Sequence, residues 1–337
     1  QYEYTRDKDY LAKTAYPLLK GNAEFLLDYM VEDPNTGYMV TGPSISPENS
    51  FLYEGNNLCA SMMPTCDRVL AYEIFNACIQ SSQILGIDQS FSDSLQQALK
   101  KFPPIRLRAN GGVREWLEDY DEASPNHRHT SHLLALYPYE QISLDKTPEL
   151  AVGARKTIED RLAAEGWEDT EWSRANMICF YARLKDAKEA YQSILTLESI
   201  FTRENLLSIS PAGIAGAPYD IFILDGNAAG AAGIAEMLVQ GHEGYIEFLP
   251  CLPEQWNVGN YKGLCVKGGG EVSADWNQSL INEATLKAIV DNTFTVKVPQ
   301  GKDYTITLNN KQIDPAINNG LITVSMKAKD ILSLIHI

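Results

Sequence analysis

The sequence predicts a mainly α-helical region followed by an all-β C-terminal region, and three observations carry that reading. Apolar residues recur with the helical period from about residue 10 to 240. After about 243 the texture changes to short runs rich in β-branched and aromatic residues, separated by turn signals. Gly- and Pro-containing loops separate the helical stretches, and two of them are long, 38–57 and 205–226. Long loops inside a compact helical domain are where function is usually carried.

The first helical stretch, 11–31, carries Ala15, Leu18, Leu19, Phe25, Leu26 and Tyr29 on a broad face, and Asp33-Pro34-Asn35-Thr36-Gly37 ends it in a turn. Helical patterns recur at 64–86, 88–101, 128–137, 148–165, 172–184, 186–200 and 227–241. About eight helices joined by long loops suggest stacked α-hairpins. A closed toroid of six pairs needs twelve, so the pattern fits a smaller bundle or a ring lacking an N-terminal portion. The chain opens at Gln1 in mid-pattern and not at a methionine, which reads as a fragment; the lack of a leader therefore says nothing about export.

Beyond the helices, 245–249, 263–266, 271–276, 283–290, 293–298 and 304–308 read as strands. Asn309-Asn310 and Asn318-Asn319-Gly320 mark turns between later ones. A β-sandwich packed behind the helices is the natural reading, with 1–242 as the helical domain and 243–337 as the β domain. Leu249-Pro250-Cys251-Leu252-Pro253 is apolar and stiff, unlike a flexible linker, so the two should pack together. The segment 330–337 shows no clear partner and stays unassigned.

A chain of 337 residues that is 45% hydrophobic can bury a large core. Its net charge of −16, from 44 acidic and 28 basic residues, repels phosphate backbones and disfavours nucleic acid as a partner. Such a field suits a neutral substrate. No apolar run reaches membrane length. The six cysteines show neither metal spacing nor a CxxC pair, and read as free, buried or partly buried thiols; a disulfide among Cys59, Cys66 and Cys78 is not implied.

Four stretches carry chemistry. In Thr41-Gly42-Pro43-Ser44-Ile45-Ser46-Pro47-Glu48-Asn49-Ser50-Phe51, two prolines stiffen a loop that presents Glu48 and Asn49. A general acid needs such a carboxyl, because its proton must be aimed at one oxygen. The alternative is that Glu48 is a first-turn acid of the next helix. Around Glu115, five carboxylates surround Trp116 and Tyr120, and His127, His129 and His132 follow. This resembles a sugar subsite, with hydroxyl-binding histidines; a metal cluster or structural hydrogen bonding are the other readings. Thr170 is a plausible N-cap for a helix on which Trp172 faces a cleft or the core. Asp225, at Asp225-Gly226-Asn227-Ala228-Ala229-Gly230, is either an N-cap or a working carboxylate, and the small residues after it permit close approach of a helix or a ligand.

Taken in order, these segments resemble glycoside hydrolase family 95. The Pro43–Asn49 loop, Glu115-Trp116-Leu117-Glu118-Asp119 and His127-Arg128-His129-Thr130-Ser131-His132-Leu133 with Leu136-Tyr137-Pro138 carry the resemblance. So do Trp172-Ser173-Arg174-Ala175, Asp225-Gly226-Asn227, Gly233-Ile234-Ala235-Glu236-Met237-Leu238 and Phe248-Leu249-Pro250-Cys251-Leu252-Pro253-Glu254-Gln255-Trp256. The resemblance implies an (α/α)6 catalytic barrel, here partial, followed by a C-terminal β-sandwich domain. It implies an α-L-fucosidase releasing terminal α-1,2-linked fucose from oligosaccharides or polysaccharides with inversion, needing no cofactor and no metal. It also implies a secreted or periplasmic setting.

Aligned on the family's motifs, Glu48 is the general acid and Asp225 the carboxylate that helps polarise the attacking water. Glu115 competes for the acid role. Asn49, Glu115, Trp116, His127, His129, His132, Trp172 and Asn227 are implied substrate contacts. Inversion asks for carboxyls roughly 6.5–9.5 Å apart and for an acid whose pKa is raised by partial burial. Two departures stand out. Ile223-Leu224 and Ala228-Ala229 flank Asp225-Gly226-Asn227 where the family usually carries Gln-Ile and Phe-Gly, which leaves α-L-galactosidase as an alternative specificity. The family's water-activating Asn-x-Asn pair does not occur in the first part of the chain, so a truncated or non-catalytic glycan-binding protein is a third expectation.

Overall fold

The computed structural model describes residues 1–301 and 303–336. By packing, these divide into two compact units, Lys8–Ser173 and Gln1–Asp7 together with Arg174–Ile337.

Besides the short helical stretches Lys8–Tyr10 and Leu11–Ala15, the first unit holds four longer α-helices, α1 (Tyr16–Tyr29), α2 (Thr65–Leu85), α3 (Gln89–Leu99) and α4 (Pro148–Ala163). Pro148 sits in the first turn of α4, where a missing N–H costs nothing, and Pro17 lies where a π-helical turn, Leu11–Ala15, runs on into α1. α2 stops at Gly86, whose φ of 69° continues the chain in the left-handed region. Tyr16, Ala23, Ala71, Phe75, Cys78, Leu95 and Phe102 join α1, α2 and α3 in one apolar core. The broad apolar face expected of α1 is only partly used: Leu18 is 72% and Phe25 61% exposed. The stretch 128–137 forms a 3-10 turn, Ser131–Ala135, and not the expected α-helix. Pro138 explains this, since it offers no N–H and disfavours helical geometry at Tyr137.

The second unit takes up α5 (Glu171–Arg183) from Arg174 onward, α6 (Ala187–Ile200) and α7 (Leu224–Leu238). The Asp186 side chain caps α6 by accepting the Glu189 N–H at 3.2 Å. The small residues of α7 serve helix packing. A Cβ at Gly233 would lie 2.5 Å from Ile178 Cγ2, and one at Gly230 would lie 2.8 Å from Leu197 Cδ2.

Eight strands follow: β1 (Val258–Val266), β2 (Gly270–Asn277), β3 (Leu280–Ala288), β4 (Asn292–Lys297), β5 (Tyr304–Leu308), β6 (Lys311–Gln312), β7 (Leu321–Met326) and β8 (Ile331–His336). An antiparallel six-stranded sheet runs β1-β2-β3-β8-β5-β6, and β4 pairs with β7 in a second, two-stranded sheet, with Ile246 bridging Val296 on the other side of β4. Val272, Trp276, Leu286 and Leu334 from the large sheet share a core with Phe294, Val296, Ile322 and Val324 from the small one. The segment left unassigned in the sequence is the central strand β8. Its Leu332, Ser333 and Leu334 are all buried, so it lacks the alternation that marks a half-exposed strand; Ile337 lies outside the described residues.

Helices and sheet of this unit are tied together. Leu249 N donates to Leu238 O at 2.8 Å, Cys251 N to Met237 O at 3.2 Å, and Glu247 pairs with both Lys185 and Lys297 at 2.7 and 2.9 Å. The first residues join in, with Gly268 N donating to Glu3 O at 2.7 Å. The helices beyond Arg174 thus pack in one compact unit with the sheet. Among the described residues the six cysteines form no disulfide, and four of them are buried. No helix among the described residues is long and apolar enough to cross a membrane.

Gly233→Ala tests the close approach of α7 to α5. Helix propensity alone would favour alanine by about 1 kcal/mol, but overpacking against Ile178 should dominate and destabilise by roughly 1–3 kcal/mol. Denaturant unfolding of the full-length protein reads the sign, and an unchanged or raised midpoint would contradict the packing described.

Candidate active site

The loop that carries Glu48 is fastened at both ends. Ser44–Ile45 pairs with Ala60–Ser61, and Phe51–Tyr53 pairs with Asn56–Leu58 on one side and Asp121–Glu122 on the other. Between them Asn49 N donates to Ser46 O at 2.8 Å and closes a turn around Pro47 and Glu48. A strand follows Glu48, so the reading of this residue as a helix start is set aside.

Beneath the loop lies a buried polar cluster. Ser46 Oγ donates to Glu115 Oε1 at 2.7 Å, and Asn49 Nδ2 donates to Glu115 Oε2 at 3.1 Å and to Glu122 Oε2 at 3.0 Å. Arg161, on α4, donates from Nη2 to Glu122 Oε2 at 2.6 Å and from Nη1 to the His127 carbonyl at 3.1 Å. His132 Nδ1 stands 3.6 Å from Glu115 Oε2. Burial, and then the neighbouring Glu122 charge, push the Glu115 carboxyl up to about 7 against the opposing pull of Arg161, Ser46 and Asn49.

Above the cluster Glu48 is 60% exposed, not partly buried as expected of it. It pairs with Arg128, which also holds Glu168 at 3.1 Å, and His129 Nε2 stands 3.6 Å from Glu48 Oε2. The His129 ring lies 4.9 Å from Trp172 and 5.2 Å from His127. Desolvation, then His129 and Arg128, push His127 down to about 4, and desolvation followed by Arg128 lowers His129. Burial followed by Arg161 lowers His132 to about 3. Neutral imidazoles both donate and accept, which suits sugar hydroxyls. Trp172 rides on the first turn of α5, where Thr170 is the N-cap: its Oγ1 accepts Ser173 N at 3.1 Å, and Ser173 Oγ accepts Thr170 N at 2.8 Å.

Several predicted substrate contacts are buried or bonded within the protein. Asn49, Glu115, Trp116 and His132 are at most 3% exposed, and Trp116 packs on Phe51 with centroids 5.2 Å apart. Asn227 is a loop staple in the second unit. Its Oδ1 accepts Ser208 N at 2.9 Å and its Nδ2 donates to Leu206 O at 2.7 Å. Glu48, His127, His129 and Trp172 do come together, within the first unit. Asp225 is exposed on the first turn of α7 in the second unit, where the cap position is Ile223, so Asp225 is not the N-cap. Sequence reasoning missed Ser46, Glu122, Arg161 and Glu168. Arg161 left a signal, because it continues the buried face of α4 after Ala154 and Ile158. Among the described residues no group of three or more His, Cys, Asp or Glu side chains is arranged to hold a metal ion.

The architecture, helices followed by an antiparallel sheet domain, is found in solved enzymes that act on sugars. The Streptomyces avermitilis alpha-L-rhamnosidase complexed with L-rhamnose superposes with a TM-score of 0.53 over 99% of this chain and 32% of its own, at 12% identity. That likeness shows the fold alone. Residues 1–238 match the Glycosyl hydrolase family 95 catalytic domain and residues 240–333 the Glycoside hydrolase family 95, C-terminal domain. The chain belongs to glycoside hydrolase family 95. It is 34% identical over 287 residues to Alpha-L-fucosidase 2 of Arabidopsis thaliana, covering 84% of this chain and 34% of that protein. It is 29% identical over 304 residues to Probable alpha-fucosidase A of Aspergillus niger, covering 82% of this chain and 36% of that protein. The chain thus spans about a third of the length of these curated relatives.

The buried cluster makes a pH prediction. Between the ordinary 4.5 and about 7 the folded protein holds a proton on Glu115 that the unfolded chain has released. Its contribution to stability is therefore fully present below 4.5 and is lost as pH rises through 7. Glu115→Gln cannot titrate. The stability advantage of the wild type over this variant should shrink by on the order of 3 kcal/mol across that window and stay flat above it. Denaturant unfolding at a series of pH values measures the difference, and a pH-independent gap would refute the assignment.

Proposed function

We propose that the protein to which this chain belongs is an α-L-fucosidase that releases terminal α-1,2-linked L-fucose from glycans with inversion. Glu48 is the general acid and Asp225 stands in the catalytic-base position. The observation that carries this reading is the Glu48 loop itself: a carboxyl on a doubly anchored turn, beside neutral histidines and the Trp172 ring. An aimed carboxyl, hydroxyl partners and an apolar platform are what sugar hydrolysis requires. The family and the likeness to fucosidases from Arabidopsis and Aspergillus support it.

Glu48 gives its proton to the glycosidic oxygen as the C–O bond breaks. A water attacks the anomeric carbon from the opposite face and loses a proton to Asp225, so Glu48 ends ionised and Asp225 protonated. His127 and His129 bind hydroxyls, and Trp172 offers its ring to the apolar face of the sugar. The substrate is a fucosylated oligosaccharide or polysaccharide, and the division into a catalytic part, 1–242, and a β-sandwich part, 243–337, is the functional one.

A second reading places the acid at Glu115, favoured by its carboxyl being held up to about 7. Its burial weighs against it, since a proton donor must reach the bond it cleaves.

In the full-length enzyme Glu48→Gln and Asp225→Asn should each lower kcat on a fucosylated oligosaccharide by roughly a thousandfold or more, with KM little changed. Fucosyl fluoride needs little protonation, so it should restore much of the Glu48→Gln turnover and little of Asp225→Asn. If Glu48→Gln shows no such restoration while Glu115→Gln does, the acid is Glu115. Hydrolysis of an α-L-galactoside in preference to the fucoside would redirect the substrate assignment.

A further inference from the structure

We propose that Glu115 is a positioning residue for the general acid: its carboxyl grips Ser46 and Asn49 and so aims Glu48. This rests on the reading of Glu48 as the acid. The grip is close in sequence and in space. Ser46 precedes Glu48 by two residues and Asn49 follows it by one, and each donates to a different oxygen of the same carboxyl, at 2.7 and 3.1 Å. The Asn49–Ser46 backbone bond at 2.8 Å then closes the turn over the clamp. With both neighbours fixed, the backbone at Glu48 has little freedom left.

The clamp is itself fixed. Thr65 N donates to Glu115 O at 2.9 Å, and the adjacent Trp116 packs on Phe51 just beyond the loop. Asn49 also donates to Glu122, which Arg161 holds at 2.6 Å. Arg161 reaches the His127 carbonyl as well. One buried guanidinium thereby ties the acid loop to the segment bearing His127 and His129. The acid and its hydroxyl-binding neighbours are set in register by groups that never meet the substrate.

Ionised above about 7, the Glu115 carboxyl offers two acceptor oxygens to two donors, so the comparison with an amide is made above that pH. An amide offers one: with its oxygen on Asn49 Nδ2 the Ser46 hydroxyl must turn from donor to acceptor of the new NH2, and with its oxygen on Ser46 Oγ the NH2 faces Asn49 Nδ2–H. Glu115→Gln therefore reverses or opens one arm of the clamp with little change of volume. Glu115→Asp keeps both oxygens but withdraws them by one methylene. Ser46→Ala opens a single arm from the other side.

The test uses the full-length enzyme and two substrates, a fucosylated oligosaccharide with a poor leaving group and fucosyl fluoride. A misaimed acid costs rate only where protonation is needed. Glu115→Gln should lower kcat on the oligosaccharide by roughly 10- to 100-fold with KM nearly unchanged, and should leave fucosyl fluoride within about threefold of wild type. Ser46→Ala should show the same pattern at smaller amplitude, and Glu115→Asp should recover part of the loss. In a Glu48→Gln background, adding Glu115→Gln should cost little more on the oligosaccharide, because the residue it aims has no proton to give. Equal losses on both substrates, a loss carried by KM, or full additivity with Glu48→Gln would overturn the proposal. If Glu115→Gln does not fold, Ser46→Ala and the double-mutant cycle built on it decide the matter in the same way. Leaving-group dependence in Glu48→Gln without any in Glu115→Gln or Ser46→Ala sinks this inference alone. Its absence in Glu48→Gln sinks the acid assignment first.

Discussion

The candidate site depends on the burial of one cation. Arg161 is 2% exposed and sits on the inward face of α4, so its guanidinium must find its partners inside the protein. It takes Glu122 at 2.6 Å, the His127 carbonyl at 3.1 Å and a longer approach to Glu115 at 3.9 Å. The partly buried Glu122 pairs with both Arg161 and Arg108, at 2.6 and 3.5 Å, while among the described residues the fully buried Glu115 has only the longer approach of Arg161. Burial, and then the Glu122 charge, make Glu115 hold a proton up to about 7. The same cation helps to keep His132 neutral, which suits an imidazole standing against that carboxyl. The charge states of the cluster thus follow from burial first and from the placing of its charged neighbours second.

The loop above inherits its geometry from that cluster. Helices and sheets satisfy their own backbone groups, whereas an irregular segment must find partners elsewhere. The Glu48 loop uses short ladders at its ends and side-chain bonds in its middle: Ser46 and Asn49 lead down to Glu115 and Glu122, while Pro47 O accepts from Ser131 Oγ and Glu48 pairs with Arg128. The C-terminal domain works differently. Its strands form a closed apolar core between two sheets, with no comparable polar network among the residues of that core. Hydrophobic burial makes a scaffold there; charge pairing makes a device in the first unit.

Much of the fold was legible in the sequence because periodicity reports exposure. Helices at Thr65–Leu85, Pro148–Ala163 and Ala187–Ile200 lie within two residues of where the apolar repeat puts them. Legibility failed where exposure did not alternate. β8 is buried through Leu332, Ser333 and Leu334 and so carries no period, and the stretch around His132 is apolar enough for a helix but runs into Pro138. The Glu48 loop could be found from its prolines and its carboxyl. The burial of Asn49, Glu115, Trp116 and His132 could not, because carboxylates, amides, indoles and imidazoles are also what a sugar subsite is made of. Residue type names the chemistry available, and only packing decides whether it faces a ligand or a neighbouring loop.

The two asparagines show how that decision falls. Asn49 and Asn227 both looked like hydroxyl partners, and both spend their amides on holding irregular segments. Asn49 donates to two buried carboxyls and takes the Ser50 N–H at 2.9 Å, while Asn227 bonds backbone at Leu206 and Ser208. A carboxamide carries donors and an acceptor on one planar group, so a single residue can satisfy both an orphan N–H and an orphan carbonyl. Each stands within two residues of a carboxyl proposed for catalysis, Glu48 in one unit and Asp225 in the other. An acid on a loop is only as well aimed as the backbone beneath it, and an amide beside it is a short means of fixing that backbone. Asn49 thus belongs to the fixing of the Glu48 turn, whereas Asn227 stands on the helix that carries Asp225 and ties it to the segment at Leu206 and Ser208.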